Sequence, residues 1–218
     1  MRCDRWFRRA AILSACAGLA VTLGACSSAD DPDGTTARHD PTPVPMSASV
    51  TVAPGAHPRT DPGTTLDFGE TATLPAQAFT AGGALAQFTV TGITPARDVP
   101  DTVTHGGEPY FVYVTVTSLA SHASPGPGVV GLAGSADGRA PALTISPTVG
   151  VPGCTATTPP ATMRRGESYA TCLLAIAETG QDLPQVIYWA DTTGDDALDY
   201  QRAPVVWRAP TPPAPPTS

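Results

Sequence analysis

Hydrophobic and polar positions divide the chain into four textures. Residues 10–25, "AAILSACAGLAVTLGA", form one apolar run of small residues. Residues 27–65 carry few bulky apolar side chains and show no periodicity. From about Leu66 to Arg208, apolar and β-branched residues return in short runs, separated by Gly, Pro and Asp. The last ten residues, "APTPPAPPTS", hold five prolines and cannot join a central strand.

Within the third texture the period is two, that of a strand. "YFVYVTVTSL" (Tyr110–Leu119) is the strongest example, with Val112, Val114 and Val116 on one face and Tyr113, Thr115 and Thr117 on the other. "ALAQFTVTGIT" (Ala84–Thr94) alternates and stops at Pro95. "ESYATCLLAIA" (Glu167–Ala177) puts Cys172, Leu174 and Ile176 on one face. "QVIYWAD" and "APVVWR" add two strands, and "TLDFGETATL", "VVGLAGS" and "ALTIS" add weaker ones. No window supports an amphipathic helix. About eight short strands separated by turn signals predict an all-β sandwich or barrel.

The apolar run at the start changes that picture, because it is an address. Residues 1–9, "MRCDRWFRR", are cationic, and a cationic head followed by an apolar run is the layout of an export signal. Sixteen residues at ~1.5 Å rise span ~24 Å, short of a ~30 Å hydrocarbon core. "LGAC" (Leu23–Cys26) resembles the lipobox of bacterial lipoproteins. That resemblance implies an acyl-glycerol on the Cys26 sulfur and cleavage just before it. "LSAC" (Leu13–Cys16) matches the same pattern, but its apolar region would be shorter than the roughly 7–15 residues such signals need. Its product would also begin with the apolar run. The expected organisation is a signal peptide over 1–25, a lipidated Cys26 and disordered Pro/Thr/Ser-rich stalk over 26–65, a β-sandwich over 66–208, and a disordered Pro-rich tail over 209–218.

Composition limits the partners. The 218 residues include 25 Pro and 21 Gly but no Lys and no Asn, the bias of a GC-rich genome such as an actinobacterial one. Without residues 1–25, eight arginines face eighteen acids, for a net charge of −10. That charge, with no basic cluster, argues against nucleic acid. The membrane is expected as a partner through the lipid on Cys26, and an envelope protein as a further one. Cys3 and Cys16 leave with the signal, so Cys154 and Cys172 remain, and an exported domain with two cysteines points to a disulfide between them.

The order of segments is itself informative. "FGETATLP", "AQFTVTGITPA", "GGEPYFVYVTVTSLAS", a hairpin with "DGR", a cysteine and "RRGESYATCLLAIAETGQDLPQVIYWAD" follow one another. This series resembles the immunoglobulin-like domain of unknown function found in bacterial, chiefly actinobacterial and firmicute, lipoproteins, and also the immunoprotective extracellular protein family. The resemblance covers roughly Leu66–Trp189. It implies an immunoglobulin-like antiparallel β-sandwich and an extracellular setting, and no activity.

Chemistry is sparse. "GESYA" (Gly166–Ala170) lacks the last Gly of a nucleophile elbow and leads into a strand. "HGG" (His105–Gly107) reads as a turn. His39, His57, His105 and His122 are too scattered for metal-ligand spacing. In "ADTTGDDALD", Asp191, Asp195, Asp196 and Asp199 offer oxygens of the kind Ca²⁺ takes, without the spacing of a calcium loop. No catalytic residue and no cofactor are expected. The reading is a lipid-anchored binding or scaffolding protein on the outer face of the cell membrane. The alternative is an envelope solute- or Ca²⁺-binding lipoprotein.

Overall fold

The structure, a computed structural model, describes residues 44–78, 83–146, 151–190 and 198–210. Nine strands form there: β1 (Thr65–Asp67), β2 (Thr71–Pro75), β3 (Leu85–Pro95), β4 (Glu108–Ser118), β5 (Leu132–Ser135), β6 (Leu143–Ile145), β7 (Ser168–Ala177), β8 (Gln185–Tyr188) and β9 (Val205–Arg208). One helical turn, α1 (Asp101–Thr104), separates β3 from β4. It ends at His105, whose φ of 50° is left-handed.

The strands build two sheets, in the orders β2-β3-β4-β7-β6 and β1-β9-β8-β5. They stack face to face as a β-sandwich. The long strands β3, β4 and β7 form the centre of the larger sheet, with Val90 beside Val114 and Val114 beside Thr171. A bulge between Val90 and Gly92 breaks the β3 register. The antiparallel expectation holds for every strand pair except β1 with β9, which is parallel. The reason is the turn after β1. Phe68–Glu70 carries the chain from one sheet to the other, with Gly69 at φ 95°. Glu70 fixes the crossing: its carboxylate accepts the Asp67 amide at 2.7 Å, and its carbonyl accepts Trp207 Nε1–H at 3.0 Å.

The core lies between the sheets. Val112, Val114 and Val116 of β4 point into it, as their alternation predicts, and pack with Phe88, Val186, Tyr188 and Trp207. Tyr188 and Tyr200 meet edge to face with centroids 5.3 Å apart. Each such large side chain contributes roughly 1.5–3 kcal/mol through removal from water.

The outer face of the larger sheet is covered as well. Phe111 and Tyr113 of β4 join Cys172, Leu174 and Ile176 of β7 in a second apolar cluster, closed by Val44, Val99, Val103 and Val151. This places Cys172, Leu174 and Ile176 together, as the sequence predicts, on the face away from the main core. Thr115 and Thr117 are also buried there. Thr115 Oγ1 accepts the Ala48 amide at 2.9 Å, and Thr117 shares a 2.7 Å hydrogen bond with Ser168. Of the segment expected as a disordered stalk, residues 44–65 are described; 44–64 hold no helix or strand, and Thr65 opens β1. They are bonded to the sandwich all the same. Pro45 O accepts Thr91 Oγ1, the Thr60 amide reaches Thr73 O, and Tyr200 donates to Thr60 O.

Candidate functional site

β5 and β6 are the edge strands of their sheets, on the same side of the sandwich. At one end they touch. The Ala142 amide donates to Gly134 O at 2.8 Å, and the Gly134 amide donates to Thr144 Oγ1 at 3.2 Å. Gly134 also lets β5 lie close against β7, because a Cβ there would lie 2.8 Å from Ala175 Cβ and 2.9 Å from Leu183 Cδ1. Beyond that corner the edges diverge, and a groove of about 460 Å³ opens between them.

The groove reaches the core. Leu132, Ala133 and Leu173, all buried, line it together with Trp189. Its lip is apolar and exposed: Val130 is 66% accessible, Leu143 59% and Ile145 37%. Among the described residues four large apolar side chains are exposed, the fourth being Met46, so three of the four border one groove. Exposed apolar side chains gathered in this way mark interaction surfaces, whereas scattered ones do not. Among the described residues no charged side chain lines the groove. The backbone of β6 pairs with β7 on one side only. Its other side is a sheet edge, the kind of template that accepts an added strand.

The predicted chemical residues fall elsewhere. Cys154 and Cys172 are joined in a disulfide, with Cα atoms 5.5 Å apart. It fastens the loop after residue 150 to the outer face of β7, where the Thr157 amide also reaches Thr171 Oγ1 at 3.0 Å. Cys26, Asp191, Asp195 and Asp196 lie outside the described residues. Asp199 is described, and its Oδ1 accepts the Gln201 and Arg202 amides, both at 3.0 Å. It organises a turn. Among the described residues no group of three or more His, Cys, Asp or Glu side chains is placed to hold a metal ion.

"HGG" and "GESYA" are turns leading into strands. The His105 amide donates to Asp101 O and the Gly107 amide to Thr104 O, so two of the three amides of an oxyanion loop are engaged. Ser168 pairs with Thr117 across β4 and β7. A cavity of about 650 Å³ lies beside His105, Asp137 and Glu178 at one end of the sandwich. Asp137 is held below the usual carboxylate range by the Ala140 and Arg139 amides, which donate to it at 2.9 and 2.8 Å. It too shapes a turn.

The seam between β5 and β6 was missed by sequence reasoning. "VVGLAGS" and "ALTIS" read as strands, and nothing in their alternation says that both are edges. One signal was available. Pro141 and Pro147 bracket "ALTIS", and proline on both sides of a short apolar run points to a sheet edge.

No family model matches the chain, and no curated protein matches it. Among solved structures, it is similar to MPT63, a secreted protein from Mycobacterium tuberculosis, at 16% identity and a TM-score of 0.46, over 66% of this chain and 95% of that one. It is also similar to the yjhA protein from Bacillus subtilis, at 12% identity and a TM-score of 0.40, over 66% of this chain and 99% of that one. Neither likeness specifies an activity, a ligand or a partner.

Proposed function

We propose that this chain is a lipid-anchored, extracytoplasmic binding protein of the cell envelope. In this reading Cys26 carries the lipid, and the seam between β5 and β6 receives an uncharged, extended segment of an envelope protein. The observation that carries it is the gathering of Val130, Leu143 and Ile145 around a groove at an open sheet edge whose described lining carries no charge. An added strand would pair with β6, and its apolar side chains would enter the groove. Pro141 and Pro147 limit the pairing to about five residues. Such a contact is weak by itself. Confinement of both partners to one membrane raises their effective concentration and offsets that weakness. A diacylated cysteine gives stable anchoring, which a single acyl chain does not. The disulfide supports an oxidising, exported setting, and the reading requires no catalysis.

The test compares the native chain with Leu143→Asp after gentle detergent extraction of envelopes. Leu143 is exposed, so the substitution is expected to change stability by no more than about 0.5 kcal/mol. The native chain is expected in a complex of defined mass, and the variant as free protein. Equal association of the two would rule the seam out.

A further inference from the structure

A second cavity, of about 350 Å³, lies at the end of the sandwich where the 55–57 segment, the start of β3, the chain after β4 and the turn before β7 converge. Its polar lining is one-sided. His57, His122 and Arg165 face it together with the hydroxyl residues Ser121 and Ser124, and among the described residues no carboxylate does. In a chain with 19 acids against 12 arginines, three groups able to carry positive charge around one cavity, without an acid, stand out.

Each of the three has one hydrogen-bond partner in the surrounding chain. Arg165 Nη2 donates to Gly55 O at 2.6 Å, across 110 residues of sequence. That bond uses one of the five guanidinium donors. His57 Nε2 lies 2.9 Å from Ala53 O, so it carries the proton there, and on protonation of the ring Nδ1 becomes a second donor. His122 Nδ1 lies 3.2 Å from Ser121 Oγ, which leaves its Nε2 for another partner. Glu167, the nearest acid along the chain, turns its carboxylate to the Arg164 amide at 2.6 Å.

We infer that this cavity binds a phosphate-type oxyanion, seated between the Arg165 guanidinium and the His57 and His122 rings. A metal ion would meet the fixed charge of Arg165 and find no carboxylate. An oxyanion meets charge-assisted donors, the strong class of hydrogen bond. An adjoining cavity of about 200 Å³ shares Ala84, Leu85, Ala120 and Ser124 with the first and has no charged lining. It has room for the uncharged substituent of a phosphate ester. The same chemistry is offered by a soluble phosphate and by a phospholipid headgroup.

The four histidines of the chain make the test specific. Their ring proton resonances are followed by NMR in the full-length protein. Inorganic phosphate is added in one arm and phosphatidylglycerol vesicles in the other. With phosphate the His57 and His122 resonances are expected to move along a saturating curve, while those of His39 and His105 stay. Movement of the same pair with vesicles assigns the site to headgroups as well. Their movement with phosphate alone assigns it to soluble ions. Arg165→Gln is expected to weaken the phosphate response about tenfold, one charge-assisted bond, with melting unchanged. Four histidines moving alike, no movement in either arm, or an unaltered response in Arg165→Gln would overturn the inference.

Discussion

Ala142 donates its amide proton to the Gly134 carbonyl at 2.8 Å, and that bond ties the edge of one sheet to the edge of the other. The two strands meet only at this corner. From there β5 and β6 follow their own sheets and part, leaving Leu173 at the base of an apolar seam. A sandwich ordinarily blunts its edges with charge, proline or a covering loop. Here Pro141 precedes the edge strand, and Leu143 and Ile145 leave it apolar.

The disulfide is expected to stabilise the domain substantially. Cys154 and Cys172 are 18 residues apart, and closing a loop of that length contributes ~3 kcal/mol by chain entropy. Both cysteines are buried. Alkylation of the native protein is expected to find neither thiol. The double variant Cys154→Ala, Cys172→Ala is expected to unfold at lower urea, with a loss of about 3 kcal/mol. An unchanged midpoint would mean that the 151–158 segment is held by its other contacts alone.

Alkaline pH should unfold the protein through its tyrosines. Burial pushes the Tyr169 and Tyr200 hydroxyls up to about 12 and moves Tyr188 further in the same direction. A tyrosine in an unfolded chain titrates near 10. The folded values are raised, so the stability these groups contribute is complete below about pH 10 and is lost as pH climbs through about 12. Absorbance at about 295 nm is expected to show them ionising together with the loss of the β signal in circular dichroism. All five tyrosines ionising near pH 10 with the fold intact would contradict their burial.

The processed N-terminus should be Cys26. Intact mass is expected to correspond to a chain starting there, with a diacylglyceryl group on the sulfur. Cys26→Ser is expected to leave the precursor uncut. A mature chain starting at Cys16 would show that the earlier lipobox is the one used.

The sequence is most readable where one face of a strand is buried and the other carries a different chemistry. Val112, Val114 and Val116 announce β4 and its core face, "ESYATCLLAIA" and "APVVWR" fall within a residue or two of β7 and β9, and "QVIYWAD" starts with β8 at Gln185 but runs past its end at Tyr188. Less legible is what lies on the other face of β4. Tyr113, Thr115 and Thr117 read as a half-polar surface, but residues 44–60 and the loop after residue 150 cover it. Those segments bind through backbone amides and small side chains, such as the Ala48 amide on Thr115 Oγ1. Contacts of that kind leave no period to detect. The parallel pairing of β1 with β9 was hidden for a related reason: three residues are too few to show a direction. The seam and the cationic cavity are assembled from segments distant in sequence, His57 from Arg165 by more than a hundred residues, and only the fold brings them together.

The measurement that bears most directly on the proposed role is site-specific photocrosslinking in intact envelopes. A photoreactive residue is placed at Leu143, on the lip of the seam, or at Asp67, exposed on β1 at the far edge of the smaller sheet. The account predicts one dominant protein adduct from position 143 and none above background from position 67. Equal, heterogeneous labelling from both positions would contradict it.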